Sequence, residues 1–343
     1  SNKIVGVDWA EGGVFAIERW VSGDAEVEAG ARFDHTTRNA YIPKNTYLAL
    51  VREKRIAPGG CDQRTRNARC DSAFNAGTLS LGGLLRVSKR LKARVDLSSA
   101  TRMPTIDEQY ISGTAPSFPV MARGLGGLGP ETSWSLTGTL DYANRWISGE
   151  VSAYGSYIND YIYLSPELRE DGTVRTDVLI QGRFPRFSFN AINAVFYGVD
   201  LNATARVDKF ELSVQGAMVR ATEAGTGEGL FMIPADRLRT ELSYRLAGTR
   251  SVKGPRLAVN GTFVRRQSNV SPTVDFAPVP DGYALLGASV SGNFELGKHR
   301  FRASLEAQNL LNTRYRDYTS MLRYYADEPG LQVFLRVGSE LTL

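Results

Sequence analysis

Apolar and polar residues alternate along most of this chain, and a period of two admits strands and excludes helices. Val27, Ala29, Ala31 and Phe33 alternate with Glu26, Glu28, Arg32 and Asp34. Trp134, Leu136, Leu140 and Tyr142 oppose Ser133, Ser135, Thr137, Thr139 and Asp141. Leu201, Ala203, Ala205 and Val207 stand against Asn202, Thr204, Arg206 and Asp208. Leu238, Leu242, Tyr244 and Leu246 likewise oppose Arg237, Arg239, Glu241, Ser243 and Arg245, and Phe301, Ala303, Leu305 and Ala307 oppose Arg302, Ser304, Glu306 and Gln308. No segment of comparable length shows a helical period. Strands with one apolar and one polar face follow.

A soluble sandwich alternates too, so the connections decide where the apolar face lies. Tight links are expected at 22–24, 89–92, 143–146, 208–209 and 297–299. Long ones fall at 38–74, 102–130, 165–186, 222–232, 267–281 and 313–330. Short and long alternate along the chain, with 247–255 the single oversized short link. An up-and-down barrel in an outer membrane has this signature, short turns at one end and long loops at the other. A mean hydropathy of −0.23 and the lack of any apolar run of about 18 residues exclude a bundle of membrane helices. Ordinary hydrophobic content, 42%, and a net charge of +5 exclude disorder.

The fold expected is all-β, an antiparallel transmembrane β-barrel. Strands are predicted at 13–21, 25–37, 75–88, 91–100, 131–142, 147–164, 187–207, 210–220, 233–246, 256–266, 282–296, 299–309 and 331–343. Single-chain bacterial barrels use an even number, and this list holds about thirteen. The first strand runs into a short turn and so descends from the outer side, with an outer loop expected over 5–13. Residues 1–343 therefore read as the C-terminal portion of a larger barrel. Trp20, Trp134, Trp146, Tyr157, Tyr161 and Tyr163 suit interfacial girdles, although each taken singly is also an ordinary strand aromatic.

The last third carries a resemblance. Ala307-Gln308-Asn309-Leu310-Leu311-Asn312-Thr313-Arg314-Tyr315, then Pro329-Gly330-Leu331 and a closing alternating strand, resembles the C-terminus of TonB-dependent outer-membrane receptors. Thr101-Arg102-Met103-Pro104-Thr105-Ile106-Asp107-Glu108-Gln109-Tyr110 and Gly129-Pro130-Glu131-Thr132-Ser133 resemble segments before and at the start of a descending strand in those receptors. Asn159-Asp160-Tyr161-Ile162-Tyr163-Leu164 and Gly198-Val199-Asp200-Leu201 fall in similar places. The resemblance implies a barrel of about twenty-two strands around a plug. It implies import of a scarce nutrient, energised by the TonB–ExbB–ExbD complex. The N-terminal plug, the TonB box and the first strands are expected to lie outside residues 1–343, on a preceding part of the polypeptide or on a separate chain. The final residue, Leu343, stands where such proteins usually carry Phe.

The remaining chemistry narrows the function. Two His and two Cys leave little for a zinc cluster or a Cys–His nucleophile. No nucleophile elbow, phosphate loop or acid–base pair is visible. The chain is expected to be no enzyme, and a barrel hydrolase would need a Ser or Asp with a basic partner that neither His supplies. Although 41 basic residues face 36 acidic ones, no basic stripe points to nucleic acid. Cys61 and Cys70 fall in the longest loop, in polar surroundings outside any strand, where a disulfide on the oxidising side is expected. Free thiols or a metal pair are the alternative. Residues 105–129 lack the His that haem receptors of the resembled family often place there, which lowers haem; His35 and His299 read as surface residues. No calcium-loop spacing appears around Glu167, Glu170 and Asp171 or at Asp327-Glu328, and no cofactor or resident metal is expected. Tyr110, Phe118 and Arg123 in one outer loop, with Met121, and Arg323, Tyr324 and Tyr325 in another, beside Tyr315, Arg316 and Tyr318, suit an anionic ferric chelate. Packing within the girdle is their ordinary alternative. The expected function is uptake of a ferric siderophore or other metal chelate across the bacterial outer membrane, from a lipid and lipopolysaccharide environment. A plug-less porin-like channel, or a barrel with adhesive or structural outer loops, is the alternative.

Overall fold

The computed structural model describes residues 6–63, 66–115, 118–180, 182–249, 251–270, 275–296 and 299–340. Its first strands are β1 (Gly6–Ser22), β2 (Ala25–Pro43), β3 (Asn67–Arg86), β4 (Leu91–Arg102), β5 (Ser112–Ala115), β6 (Phe118–Arg123), β7 (Glu131–Ala143) and β8 (Ile147–Pro166). They continue with β9 (Thr176–Leu179), β10 (Gly182–Val207), β11 (Phe210–Glu223), β12 (Arg237–Arg245), β13 (Val252–Val264), β14 (Tyr283–Leu296), β15 (His299–Gln308) and β16 (Gln332–Glu340). Two short helices, α1 (Lys44–Arg52) and α2 (Ile106–Tyr110), and one 3-10 turn (Met321–Tyr324) lie in the long links.

Thirteen strands form one antiparallel ladder, in the order β1-β2-β3-β4-β7-β8-β10-β11-β12-β13-β14-β15-β16. The period of two predicts these same thirteen. The other three, β5, β6 and β9, are short additions inside long links. Among the described residues β1 and β16 each have one ladder neighbour, so the sheet has two open edges.

The tight turns are short for a backbone reason. Gly23, with φ of +57°, and Asp208, with φ of +52°, supply the left-handed residues that two-residue hairpins need. The oversized link at 247–255 shrinks because β13 begins at Val252, and its register against β14 shifts between Lys253 and Arg256. At the outer end near the chain start the ladder runs further than predicted, whereas the links after β11, β13 and β15 are longer than predicted. β1 reaches Gly6, paired with Tyr41, where an outer loop over 5–13 was expected. β2 and β3 stay paired to Pro43 and Asn67, inside the expected loop at 38–74. Out there neither face meets lipid, so the ladder persists while the apolar alternation that marks it stops.

Register makes the two faces continuous. Leu81 pairs with Leu97 and Leu97 with Leu136, while Val151 pairs with Leu201. These side chains are exposed in the isolated chain and form one apolar surface, which is what a barrel presents to acyl chains. Along β7, Trp134 to Tyr142 bound a stretch of about 27 Å at about 3.4 Å per residue, which at the about 40° strand tilt of such barrels rises about 20 Å within their about 25 Å apolar band. Serine, threonine and charged residues share the other face. Ser135 bonds Ser156 at 2.8 Å and Thr139 bonds Ser152 at 2.9 Å.

The girdle prediction needs one correction. Trp20, Trp134, Trp146 and Tyr157 lie exposed at the ends of the apolar band. Tyr161 and Tyr163 do not. Between Ile158 and Tyr161 the pairing with β10 slips by one residue, and Asp160 sits at φ +52°. An extra residue on one strand moves every later side chain to the opposite face. Tyr161 consequently packs edge-on against Phe196 on the interior side, ring centres 5.3 Å apart, and the Tyr163 hydroxyl accepts a hydrogen bond from the Phe231 backbone N–H.

Substitution at neighbouring positions of β7 separates the faces. Leu136→Arg is expected to cost roughly 2–4 kcal/mol in a bilayer, and Thr137→Arg, on the polar face, under about 1 kcal/mol. Reversible urea unfolding in lipid vesicles measures both.

Candidate ligand-binding surface

The long links fold over the ladder as a roof with its own small cores. The first gathers Ala40, Ile42, Tyr47, Leu50, Ile56, Cys61, Ala68, Cys70 and Tyr110 beneath α1. Cys61 and Cys70 form a disulfide. They sit differently from the expectation of a polar loop: Cys70 is a β3 residue paired with Ala40 and only 1% exposed, and Cys61 is buried with it. The loop is long enough to fold back on the strand tips, so its interior is apolar. Gly59 donates its N–H to the Tyr47 hydroxyl at 3.0 Å, which closes the segment after the helix.

The link between β4 and β7 packs against this unit. Thr105 caps α2, accepting from the Glu108 N–H while the Glu108 carboxylate accepts from the Thr105 N–H, the reciprocal arrangement that fixes a short helix start. β6 then runs parallel to β10, Met121 paired with Arg186. Gly124 allows the closest approach here, since a Cβ there would lie 2.5 Å from the Gln109 backbone. Arg55 ties the two links together, donating from Nε to the Gly124 carbonyl at 2.9 Å and from Nη2 to the Phe189 carbonyl.

A second knot joins three further links. Arg323, 1% exposed, donates from Nη2 to Asp275 at 2.5 Å, and the Tyr324 hydroxyl donates to the same carboxylate at 2.7 Å. The guanidinium lies 4.6 Å from the Tyr324 ring centre, 4.7 Å from Tyr318 and 5.9 Å from Phe231. Phe231 comes from the β11–β12 link, Asp275 from β13–β14, and the rest from β15–β16. Burial pushes the Tyr318 hydroxyl up to about 12 and, with Asp275 beside it, raises that of Tyr324 further. Both phenols stay neutral, so among the described residues Asp275 alone balances the Arg323 charge.

Four of the six expected ligand contacts, Tyr110, Arg123, Arg323 and Tyr324, are packed or bonded within the protein. Tyr110 is 5% exposed in the α1 core. Arg123 is 8% exposed and bonds Glu53 at 2.8 Å. Arg323 and Tyr324 are built into the knot, and Tyr325 is exposed beside Phe184. Phe118 opens β6, but its side chain lies outside the described residues, as does that of His299. His35 is exposed, bonded through Nδ1 to Asn75 at 2.8 Å.

Open polar space lies elsewhere. A cavity of about 700 Å³ on the polar face is lined by Gln215, Arg237, Arg239, Glu241, Tyr283 and Asp317, among others. Arg239 is exposed there and has no ion pair among the described residues. A second niche, about 600 Å³, is lined by Trp9, Glu11, Thr36, Arg38, Met103 and Pro104, among others. Trp9 is 64% exposed, while Thr36 Oγ1 and Arg38 Nε are buried without partners among the described residues. Sequence reasoning missed both places. The usable signal was parity: Trp9 and Glu11 share the face of Thr36 and Arg38 through their pairing.

The family described as TonB dependent receptor-like, beta-barrel, matches residues 6–310. Among solved structures, the copper transporter OprC is 15% identical, with 96% of this chain and 47% of that one covered at a TM-score of 0.71. The FrpB iron transporter from Neisseria meningitidis (F3-3 variant) is 14% identical, with coverage of 98% and 46% and a TM-score of 0.64. The ferric citrate transporter FecA in its unliganded form is 14% identical, with coverage of 97% and 45% and a TM-score of 0.65. At such identities the likeness is one of fold. The chain spans about half the length of these structures. No curated protein matches the sequence.

The Arg323 knot is testable as a strut. Asp275→Asn leaves a buried guanidinium uncompensated and is expected to cost about 3–5 kcal/mol, whereas Asp275→Leu with Arg323→Met is expected to be nearly neutral. Hydrogen exchange over residues 318–324 measures the difference.

Proposed function

The chain belongs to the family of TonB-dependent receptor-like β-barrels, and we propose that it forms membrane wall and outer roof of a receptor importing a metal chelate, foremost a ferric siderophore. The receptor resides in the bacterial outer membrane and draws its energy from the TonB–ExbB–ExbD complex. The feature that most supports this reading is the open cavity of about 700 Å³ on the polar face, where Arg239 stands beside Tyr283 without an ion pair among the described residues. Of the lining carboxylates, Glu241 and Glu306 are paired with Arg256 and Arg336 outside it, Asp317 meets Arg237, and Glu328 is the fourth. Guanidinium groups attract an anionic chelate and phenol rings stack on its planar arms. The Trp9 and Arg38 niche repeats this pairing of ring and cation nearer the first strand. The fold is shared with proteins named as copper, iron and ferric citrate transporters, which agrees with a metal-bearing cargo.

A strain lacking the gene, supplied with the full natural polypeptide, is expected to recover uptake of a radiolabelled ferric siderophore under iron limitation. Arg239→Ala is expected to weaken chelate binding roughly tenfold, the size of one lost charge-assisted contact, with Arg239→Lys retaining part. Uptake of every anionic ferric chelate at wild-type rate in the deletion strain would contradict the reading.

A further inference from the structure

Many cations on the barrel wall are paired with neighbouring carboxylates. Glu26 bridges Arg19 and also meets Arg86 at 3.7 Å. Glu211 meets Arg206 at 2.8 Å, Arg256 at 3.5 Å and Arg245 at 3.8 Å, and Arg94 meets Asp96 at 2.7 Å. At the tips of the short turns this pairing stops. Lys89, Arg90, Arg145, Lys209 and, at the start of β13, Lys253 are exposed and have no ion pair among the described residues. Carboxylates in the same described turns are Asp24 and Asp208.

The tips also form a connected rim. The Ala143 N–H donates to the Arg90 carbonyl at 2.9 Å, that of Arg206 to the Trp146 carbonyl at 2.7 Å, and that of Arg245 to the Lys209 carbonyl at 2.9 Å. Each bond joins one turn to the adjacent strand or turn, so successive tips stand about 10 Å apart, two strand spacings. The rim adjoins the lower aromatic band. Arg145 stacks over the Trp146 ring at 4.2 Å, and Trp20, Trp146, Ile147 and Phe210 are exposed at the same end. Indole rings at a barrel end mark headgroup depth, which puts these cations level with lipid phosphates.

We propose that this rim is a docking surface for anionic phospholipid, specifically phosphatidylglycerol, in the leaflet facing the short turns. The proposal rests on the reading of the chain as an outer-membrane barrel wall. A basic side chain near an anionic membrane surface contributes a factor of about five in association, and salt screens it. The rim thereby anchors the turn end independently of cargo.

The test places the full natural polypeptide in phosphatidylethanolamine vesicles containing phosphatidylglycerol in both leaflets. Spin-labelled versions of the two lipids report which is immobilised at the protein surface. The wild type is expected to favour phosphatidylglycerol about fivefold at low salt. Replacing Lys89, Arg90, Arg145, Lys209 and Lys253 with Ser is expected to bring the ratio near one. Replacing Arg265 and Arg314 with Ser, exposed cations outside the short turns, is expected to leave it intact. Equal immobilisation of both lipids by the wild type, or a preference unchanged in the rim variant, would overturn this proposal alone. Immobilisation of neither lipid would overturn the membrane-barrel reading and this proposal with it.

Discussion

The antiparallel ladder is the constraint from which the other features descend. In hydrocarbon a backbone N–H or C=O finds no water, and only strand-to-strand pairing satisfies it. Once β1 to β16 are laddered, the period of two leaves no freedom over which side chains meet lipid and which meet the interior. The Leu81, Leu97, Leu136 row is apolar because its register allows nothing else. The same rule explains its exception. One extra residue near Asp160 carries Tyr161 and Tyr163 to the inside, where they support Phe196 and Phe231.

Beyond the apolar band the ladder serves as scaffolding for the roof. Two knots hold it: the disulfide core under α1, and the Arg323–Asp275 pair in its aromatic cage. A buried guanidinium with one carboxylate and three rings is costly to break, which suits a joint between links rather than a surface that exchanges ligand. Among the described residues, charges left available include Arg239 at the polar-face cavity and the cations at the turn tips. Several wall arginines between them are neutralised in place, by Glu26, Asp96 and Glu211.

The strands were legible because alternation is a local pattern that each segment carries by itself. Where lipid is no longer a solvent for one face, as from Arg38 to Pro43, the pattern lapses and the strand continues unseen. Parity changes were not legible, because the bulge at Asp160 depends on pairing with β10. The site was less readable than the fold. Arg323, Tyr324 and Arg123 have the residue types of a chelate site, yet their partners Asp275 and Glu53 are distant in sequence. Nothing local separates a strut arginine from a ligand arginine. Trp9 and Arg38 were hidden for the opposite reason, since they face one another only through the β1–β2 register.

Collision accessibility of spin labels placed singly along β8, in the full polypeptide in a bilayer, tests the ladder most directly. Labels at Val151, Ala153 and Tyr157 are predicted to collide with dissolved oxygen in lipid, and those at Glu150, Ser152 and Tyr154 with a water-soluble nickel chelate. Past the bulge the parity is predicted to reverse, with Tyr161 and Tyr163 shielded from lipid. Uniform accessibility along β8, or an alternation that runs through Asp160 without reversing, would contradict the account.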